Sequence, residues 1–377
     1  MQALHNLPPL RLREMRDGVV IPAVGNCTAG LTHGGVVNAQ GQIDPGSLLY
    51  RRSMRVVFPP ETLPEAADTV EEPHIYAGFF IWHYGHFLLE SLARLWATTR
   101  YPDMHIVWAG SEAPTRWQRE ICDMFGIGDR MRFVDRPTRF RRLIMPEPGI
   151  RLGDYAHPDH IRFLGIHGRS ESRKTGPRLW LSRRLLDGKW RVDGEDILED
   201  ALEKRGWRAV APETFSVREQ LDMMEGAGAI AGIEGSALHT PLLLKGFNGP
   251  LIVVRRIHGM AYRTLSEAAG IEQHDLLDSI RFELRPSGAA SRFQSPLRSA
   301  ELIDEIANGH DARVIAETPL HPCDALQLTT YQDDNRLLAP DFRPFASLTP
   351  PGLRDSANLF ARSFGQAVRR RLKIRPN

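Results

Sequence analysis

The sequence predicts an α/β protein of two facing open-sheet domains. Three observations carry that expectation. From Ile75 onward, short apolar runs alternate with stretches that read as helices, the signature of strand–helix units. The alternation occurs twice, on either side of a polar stretch from Ser170 to Pro177 that reads as the inter-domain crossing. A length of 377 residues with 42% hydrophobic and 25% charged side chains is enough for more than one core. The expected divisions are 1–170, 171–325, and a C-terminal extension 326–377 that packs back on the first domain.

Taken in order, the opening region to about residue 60 is rich in Gly and Pro, with runs such as "LLYRRSMRVVF" that suit small strands and irregular connections. "IYAGFFIW" reads as a buried strand, and an apolar helix from about Gly85 to Thr99 follows. "DMHIVWAG" is the next strand and "TRWQREICDMFGI" a helix ending near Gly126; "MRFVD" is strand-like and precedes "RLIMPEPG". In the second series "RLWLSR" is a strand. "DGEDILEDALEKRG" is a helix with acidic residues in its first turn and Gly206 at its end. "WRAVAP" gives a strand, and "SVREQLDMMEGA" a helix with Ser216 and Glu219 in capping-box spacing. "GAIAGIEGSALHTPLLLKG" reads as strand, glycine turn and helix, and "PLIVVRRI" as a strand. Beyond residue 260, "ELIDEIANG" is a helix and "ARVIAE" a strand, and the tail "VRRRLKIR" suits a solvated helix end or an anionic surface.

Bulk properties exclude several classes. A formal net charge of +2 points to no particular partner. Cys27, Cys122 and Cys323 are far apart, so neither a cysteine zinc site nor a disulfide framework is indicated, and a reducing compartment fits. The first residues lack the apolar core of a signal peptide, and no run approaches a membrane span, so membrane contact is expected only at the periphery. Six arginines between Arg130 and Arg142, with Phe133 and Phe140 interleaved, allow a basic rim or a solvated face. No recognised nucleic-acid-binding motif accompanies them, and no nucleic-acid partner is expected.

Three constellations can carry chemistry. In "WHYGHFLLESLARLW", His86 and Glu90 share a helix face, His83 precedes them, and Arg94 follows one turn on as an expected partner of Glu90 or an anion contact. The group suits a metal site, a buried structural pair, or a cleft in which Glu90 takes a proton or holds His86 in the tautomer that does so. In "RLWLSRRLLDGKWRVDGED", Arg183 and Arg184 emerge at a strand end, with Lys189 and Arg191 close behind, a set suited to phosphate oxygens or simply to a basic turn. In "AGIEGSALHTPLL", Gly232 and Gly235 bracket Ile233 and Glu234, Ser236 opens a helical run, and His239 lies within its first turns. Such a loop can bring backbone close to a phosphate or serve packing alone.

Together these segments resemble the glycosyltransferase 61 family of bacterial polysaccharide loci over roughly residues 75–260. The resemblance rests on "WHYGHFLLESLARLW", the "SR" strand end, the Arg191…Glu195 pair, Glu219–Gln220, and the glycine-bracketed "GIEGSALH" loop. Gly194 stands where relatives have Asn, and Glu234 where many have His. The resemblance implies a GT-B-like fold of two Rossmann-like domains with an interdomain cleft. It implies inverting transfer of a sugar from a nucleotide-sugar donor to a glycan or lipid-linked acceptor in surface polysaccharide assembly (capsule, lipopolysaccharide or exopolysaccharide), at the cytoplasmic side of the inner membrane. His86, Glu90 and Arg183 are the expected catalytic residues. Arg183, Lys189, Arg191, Glu195, Gly235, Ser236 and His239 are expected to bind the donor. No metal or other cofactor is expected, and no DxD stands between the matched regions. The competing readings are a metal-dependent hydrolase built on His83, His86 and Glu90, and a non-catalytic carbohydrate-binding protein.

Overall fold

The computed structural model describes residues 7–310 apart from 27–28, 111–112, 169–175, 187–190, 257–260 and 286–287. The chain divides into two compact units, Met1–Glu317 and Thr318–Asn377. The expected strand "ARVIAE", the 326–377 extension and the basic tail lie outside the described residues.

The first sheet is mixed. It contains β1 (Leu12–Asn26), β2 (Ala29–Val37), β3 (Val57–Phe58), β4 (Asp68–Val70), β5 (His74–Phe79), β6 (His105–Ala109), β7 (Met131–Val134) and β8 (Thr138–Pro146). Its order is β3-β2-β1-β8-β5-β6-β7, with β4 also on β8. The β5–β6–β7 part is parallel, as the strand–helix alternation predicts, while β1 runs antiparallel to both β2 and β8. This sheet therefore departs from the all-parallel form expected of a Rossmann-like domain. The opening region, read as small strands, supplies two of its longest members. Charge pairs bridge β1 and β8: Arg142 Nε reaches Glu14 at 3.0 Å and Arg141 Nη1 reaches Asp17 at 2.7 Å. Arg136 likewise pairs with Asp68 and Asp135. Three of the six arginines of this cluster are thus paired with carboxylates, while Arg130 and Arg139 donate to backbone carbonyls.

The second sheet is wholly parallel: β9 (Arg178–Leu181), β10 (Trp207–Val210), β11 (Ala229–Ile233), β12 (Leu251–Val254) and β13 (Gln273–Leu276), in the order β10-β9-β11-β12-β13. This is the doubly wound order 2-1-3-4-5, whose direction of winding reverses between its first and third strands. A small three-stranded sheet, Val192–Asp193 with Ile280–Arg285 and Gly288–Phe293, lies apart from it.

The helices are α1 (Tyr84–His86), α2 (Arg116–Met124), α3 (Pro158–Leu164), α4 (Glu195–Glu203), α5 (Val217–Met224), α6 (Ala261–Ala269) and α7 (Pro296–Ala307). Alternation along each strand divides the apolar side chains between two layers. Leu179 and Leu181 of β9, and Leu251 and Val253 of β12, join Ile75, Ile106 and Trp108 of the first sheet in one cluster. Trp180, Ile252 and Val254 face the opposite way, onto Leu198 and Leu202 of α4 and Ala300 and Ile303 of α7. The outer face of the first sheet has its own cluster around Tyr76, Val107 and Phe140. Between the sheets, helices of both series meet. Glu120 of α2 accepts the first amides of α5, from Val217 at 3.1 Å and Arg218 at 2.9 Å, where the helix dipole favours a carboxylate.

The stretch expected to form one helix from Gly85 to Thr99 is broken into α1, a π-turn over Phe87–Ser91 and a 3₁₀ segment over Leu95–Thr99. Competing bonds explain the break. Ser91 turns its carbonyl to Trp108 Nε1, 3.1 Å away, and its hydroxyl to the Ile81 amide at 2.9 Å, while Leu92 N–H reaches back five residues to Phe87. π-bulges of this kind occur often at functional sites.

Candidate functional site

The carboxyl ends of β9 and β11 mark the reversal point of the parallel sheet, where open α/β folds bind ligands. Arg183 stands just past β9, and Gly235 and Ser236 just past β11, so the two sequence constellations meet. The Arg183 guanidinium lies directly against the Cα of Gly235, and a Cβ there would collide with Nη1. Gly235 has φ 175°, extended backbone open to any residue, so close approach rather than torsion calls for glycine. Ser236 begins a 3₁₀ helix, Ser236–Leu243, rather than the expected α-helix; Pro241 lies inside it.

Two residues not singled out in the sequence complete this wall. Burial lowers the pKa of Arg183, and the charge of Arg256 lowers it further, while Glu195 opposes the shift. Two guanidiniums close together in partly buried surroundings disfavour each other and favour an anion between them. Tyr262 stacks on His239 with ring centroids 4.5 Å apart and 14° between planes, and Arg255 lies over the Tyr262 ring at 5.6 Å. Burial takes His239 down to about 3, so it is neutral at physiological pH. Glu234 is turned to the arginines, accepting the Arg256 amide at 3.1 Å with Arg255 3.7 Å away. The available signal was the doublet Arg255–Arg256 at a strand end, the same pattern as Arg183–Arg184.

The facing wall is the α1 segment. Glu90 is 2% exposed, and Arg51 clasps it through Nε at 2.6 Å and Nη2 at 2.7 Å. His86 Nδ1 lies 2.9 Å from the Oε2 atom of Glu90. Burial alone would raise the Glu90 carboxyl, but hydrogen bonds from Arg51 and His86 outweigh it and hold the group below the ordinary carboxylate value. An ionised Glu90 only accepts, so Nδ1 of His86 carries a proton, and in the neutral form of the ring the lone pair is on Nε2. His83 packs edge-on against His86 at 5.1 Å and is made less basic by burial, His86 and Arg51. Arg94, the expected partner of Glu90, instead donates to the carbonyls of Pro146 and Gly46. Arg51 takes its place, from the "LLYRRSMRVVF" run read as small strands, where no local pattern marks it as a partner of Glu90.

The two walls touch. A Cβ at Gly85 would stand 3.0 Å from Ser236 Oγ and 3.2 Å from His239 Cδ2, and Tyr84 Oη lies 3.0 Å from Thr240 Oγ1. His86 is close enough to His239 to depress it electrostatically.

Other candidates lie elsewhere. Glu195 is buried beneath Arg183, accepting its backbone N–H at 2.9 Å and Trp180 Nε1 at 3.3 Å, so it braces the strand end. Arg184 is drawn to Glu199 at 2.9 Å, and Arg191 is exposed at the start of the small sheet. Lys189 lies outside the described residues. Glu219 closes a capping box with Ser216, and Gln220 donates to the carbonyls of Pro212 and Phe215. Among the described residues no three His, Cys, Asp or Glu side chains are grouped to hold a metal ion, and no helix is long and apolar enough to cross a membrane.

A parallel sheet with an arginine-lined reversal point, set against a His–Glu pair, has the chemistry to take an anionic group beside a side chain able to move a proton. Residues 84–245 match the family described as Glycosyltransferase 61, and over that segment the match supports a general glycosyltransferase-type activity. His86, Glu90, Arg183, Glu195, Gly235, Ser236 and His239 fall inside the match, whereas Arg51, Arg256 and Tyr262 lie outside it. No curated protein matches the chain.

Proposed function

We propose that this chain is an inverting, GT-B-like glycosyltransferase that moves a sugar from a nucleoside-diphosphate donor to a glycan or lipid-linked glycan in surface polysaccharide assembly. Residues 1–170 form its acceptor side and 171–325 its donor side, and it works at the cytoplasmic face of the inner membrane. The observation that carries the reading is the meeting of Arg183 with Gly235 and Ser236 at the reversal point, opposite the Arg51–Glu90–His86 chain.

In one displacement, His86 Nε2 removes the proton of an acceptor hydroxyl, and the oxygen bonds to the anomeric carbon as the bond to the diphosphate breaks. Glu90, kept ionised by Arg51, holds the His86 tautomer and stabilises the imidazolium that forms. The departing diphosphate gathers negative charge against Arg183 and Arg256 and the amides at Ser236. This assigns the base to His86 and the positioning role to Glu90.

The test pairs a donor screen over UDP, GDP, CMP and TDP sugars with two variants. His86→Ala lowers kcat about 10²- to 10⁴-fold with donor affinity retained, the range for loss of a general base. Arg183→Ala weakens nucleotide binding and turnover together. Turnover persists after chelation with EDTA, since the guanidiniums take the charge. Unchanged nucleotide affinity in Arg183→Ala, or activity lost on chelation and restored by a divalent cation, overturns the reading.

A further inference from the structure

A cavity of about 530 Å³ lies on the far side of Glu90, against the first sheet, within the range of small-molecule sites. Its walls include Glu90 and Arg94 from the broken helix, Gly78 from β5, Tyr50, and Arg151 with Tyr155 from the hairpin after β8; the segment Leu7–Leu10 borders it. None of these residues except Glu90 takes part in the reaction proposed above.

Arg94 is the unusual group. It is 5% exposed, yet among the described residues the hydrogen bonds of its guanidinium go to the carbonyls of Pro146 and Gly46, with the Tyr76 ring 5.6 Å from Cζ. A guanidinium has five N–H donors, so others remain to face the cavity. The backbone assists: Gly78 has φ +91° beside a register shift in β5, and a Cβ there would come within 3.5 Å of Arg94 Nε, so the missing side chain leaves that edge open.

The other charges in the walls are paired or, as with Glu147, exposed, with the Arg11 amide on one oxygen at 3.2 Å. Asp44 takes both of its oxygens to Arg13 at 2.8 and 3.1 Å, and Glu90 is held by Arg51. Among the described residues no carboxylate is hydrogen-bonded to Arg94. Arg151 sits over the rings of Tyr50 at 5.3 Å and Tyr155 at 5.6 Å, with Asp154 only loosely placed at 3.8 Å. The cavity therefore has at its buried end a guanidinium that, among the described residues, is hydrogen-bonded to carbonyls and to no carboxylate, and flat aromatic surface at its side. Buried charge calls for a hydrogen-bonded counter-charge, and aromatic faces suit the C–H faces of a sugar ring.

We propose that this cavity binds a carboxylate-bearing sugar residue, a hexuronate, with its carboxylate on Arg94 and its ring beside Tyr50 and Tyr155. Because Glu90 forms both a wall of the cavity and the support of His86, the bound residue belongs to the acceptor glycan; that second step rests on the function proposed above, whereas the binding itself does not.

The experiment is titration of the full chain with methyl glucuronide, methyl glucoside and inorganic phosphate, without a donor. Methyl glucuronide binds, methyl glucoside at least about tenfold more weakly, and phosphate does not displace the glucuronide at equal concentration. Arg94→Lys reduces glucuronide affinity at least about tenfold. Leu10→Trp, at the partly exposed rim, does the same by filling the mouth, which covers the case in which the buried Arg94 variant fails to fold. UDP binding, read in parallel, is unaffected in Leu10→Trp. Equal affinity for both glycosides, displacement by phosphate, or unchanged glucuronide binding in a folded Leu10→Trp variant overturns the proposal. Loss of UDP binding in Arg183→Ala bears on the donor site alone, so the two readings fail separately.

Discussion

Arg51 and Glu90, 39 residues apart, form a two-pronged ion pair in which the carboxylate is 2% and the guanidinium 19% exposed. Each donor of the fork meets its own oxygen, the geometry in which Arg–carboxylate pairs are strongest. One of those oxygens also serves His86, so the pair links a short hairpin to the candidate base.

Arg51→Ala strands a buried carboxylate, and stability falls by about 3 kcal/mol at pH 7, read from urea unfolding midpoints. The folded-state pKa of Glu90 lies below its unfolded value, so its stabilisation is fully present above about pH 4.5 and is lost as pH falls through the depressed value. The gap between wild type and variant accordingly closes in acid. Equal midpoints at neutral pH would show that the pair contributes nothing.

Gly235→Ala acts on Arg183 rather than on the backbone, because an extended φ tolerates alanine. Nucleotide affinity drops about tenfold or more, roughly 1.4 kcal/mol, while the unfolding midpoint stays near that of wild type. In the Arg183→Ala background the same substitution has little further effect. Additive losses in the double variant would mean that the two residues act on the nucleotide independently.

Glu195 gives a pH dependence of opposite sign. Burial pushes its carboxyl up to about 7, with the Arg183 amide pulling the other way. A carboxyl whose folded-state pKa is raised favours the native state when protonated. Stability attributable to Glu195 is therefore present below its unfolded value of about 4.5 and falls as pH rises through about 7. Glu195→Gln removes that slope, leaving the variant more stable than wild type by at most about 3 kcal/mol at pH 8 and nearly equal at pH 4. A wild-type stability that does not fall between pH 5 and 8 relative to the variant would count against it.

The second sheet was largely legible because its strands are short, apolar and separated by capped helices. "RLWL", "WRAV" and "LIVV" are strands as expected, and the Ser216–Glu219 capping box forms. The first sheet was less so. Its long antiparallel strands carry Arg and Glu on an exposed face, which a search for apolar runs passes over. The broken helix was hidden for another reason: "HFLLESLARLW" has helical spacing throughout, and only the tertiary demands of Trp108 and Ile81 on Ser91 interrupt it. Within the candidate site, Arg183, Ser236, His86 and Glu90 are expected from local pattern together with the family resemblance, and the fold brings their segments together. Arg51, Arg256 and Tyr262 are not expected, since their relevance depends on contacts made across the fold. Glu195 is expected on the donor through the Arg…Glu pair of the family resemblance, whereas helix α4 holds it under the strand end.

The inner apolar cluster draws side chains from both sheets, while each outer face packs against a cluster of its own. The two sheets are consequently coupled mechanically along one layer and free of each other along the rest. A change of volume at Ile106 or Val253 is felt by both sheets, because both line that layer. Changes in the outer layers can be absorbed without disturbing the contact of Gly85 with Ser236.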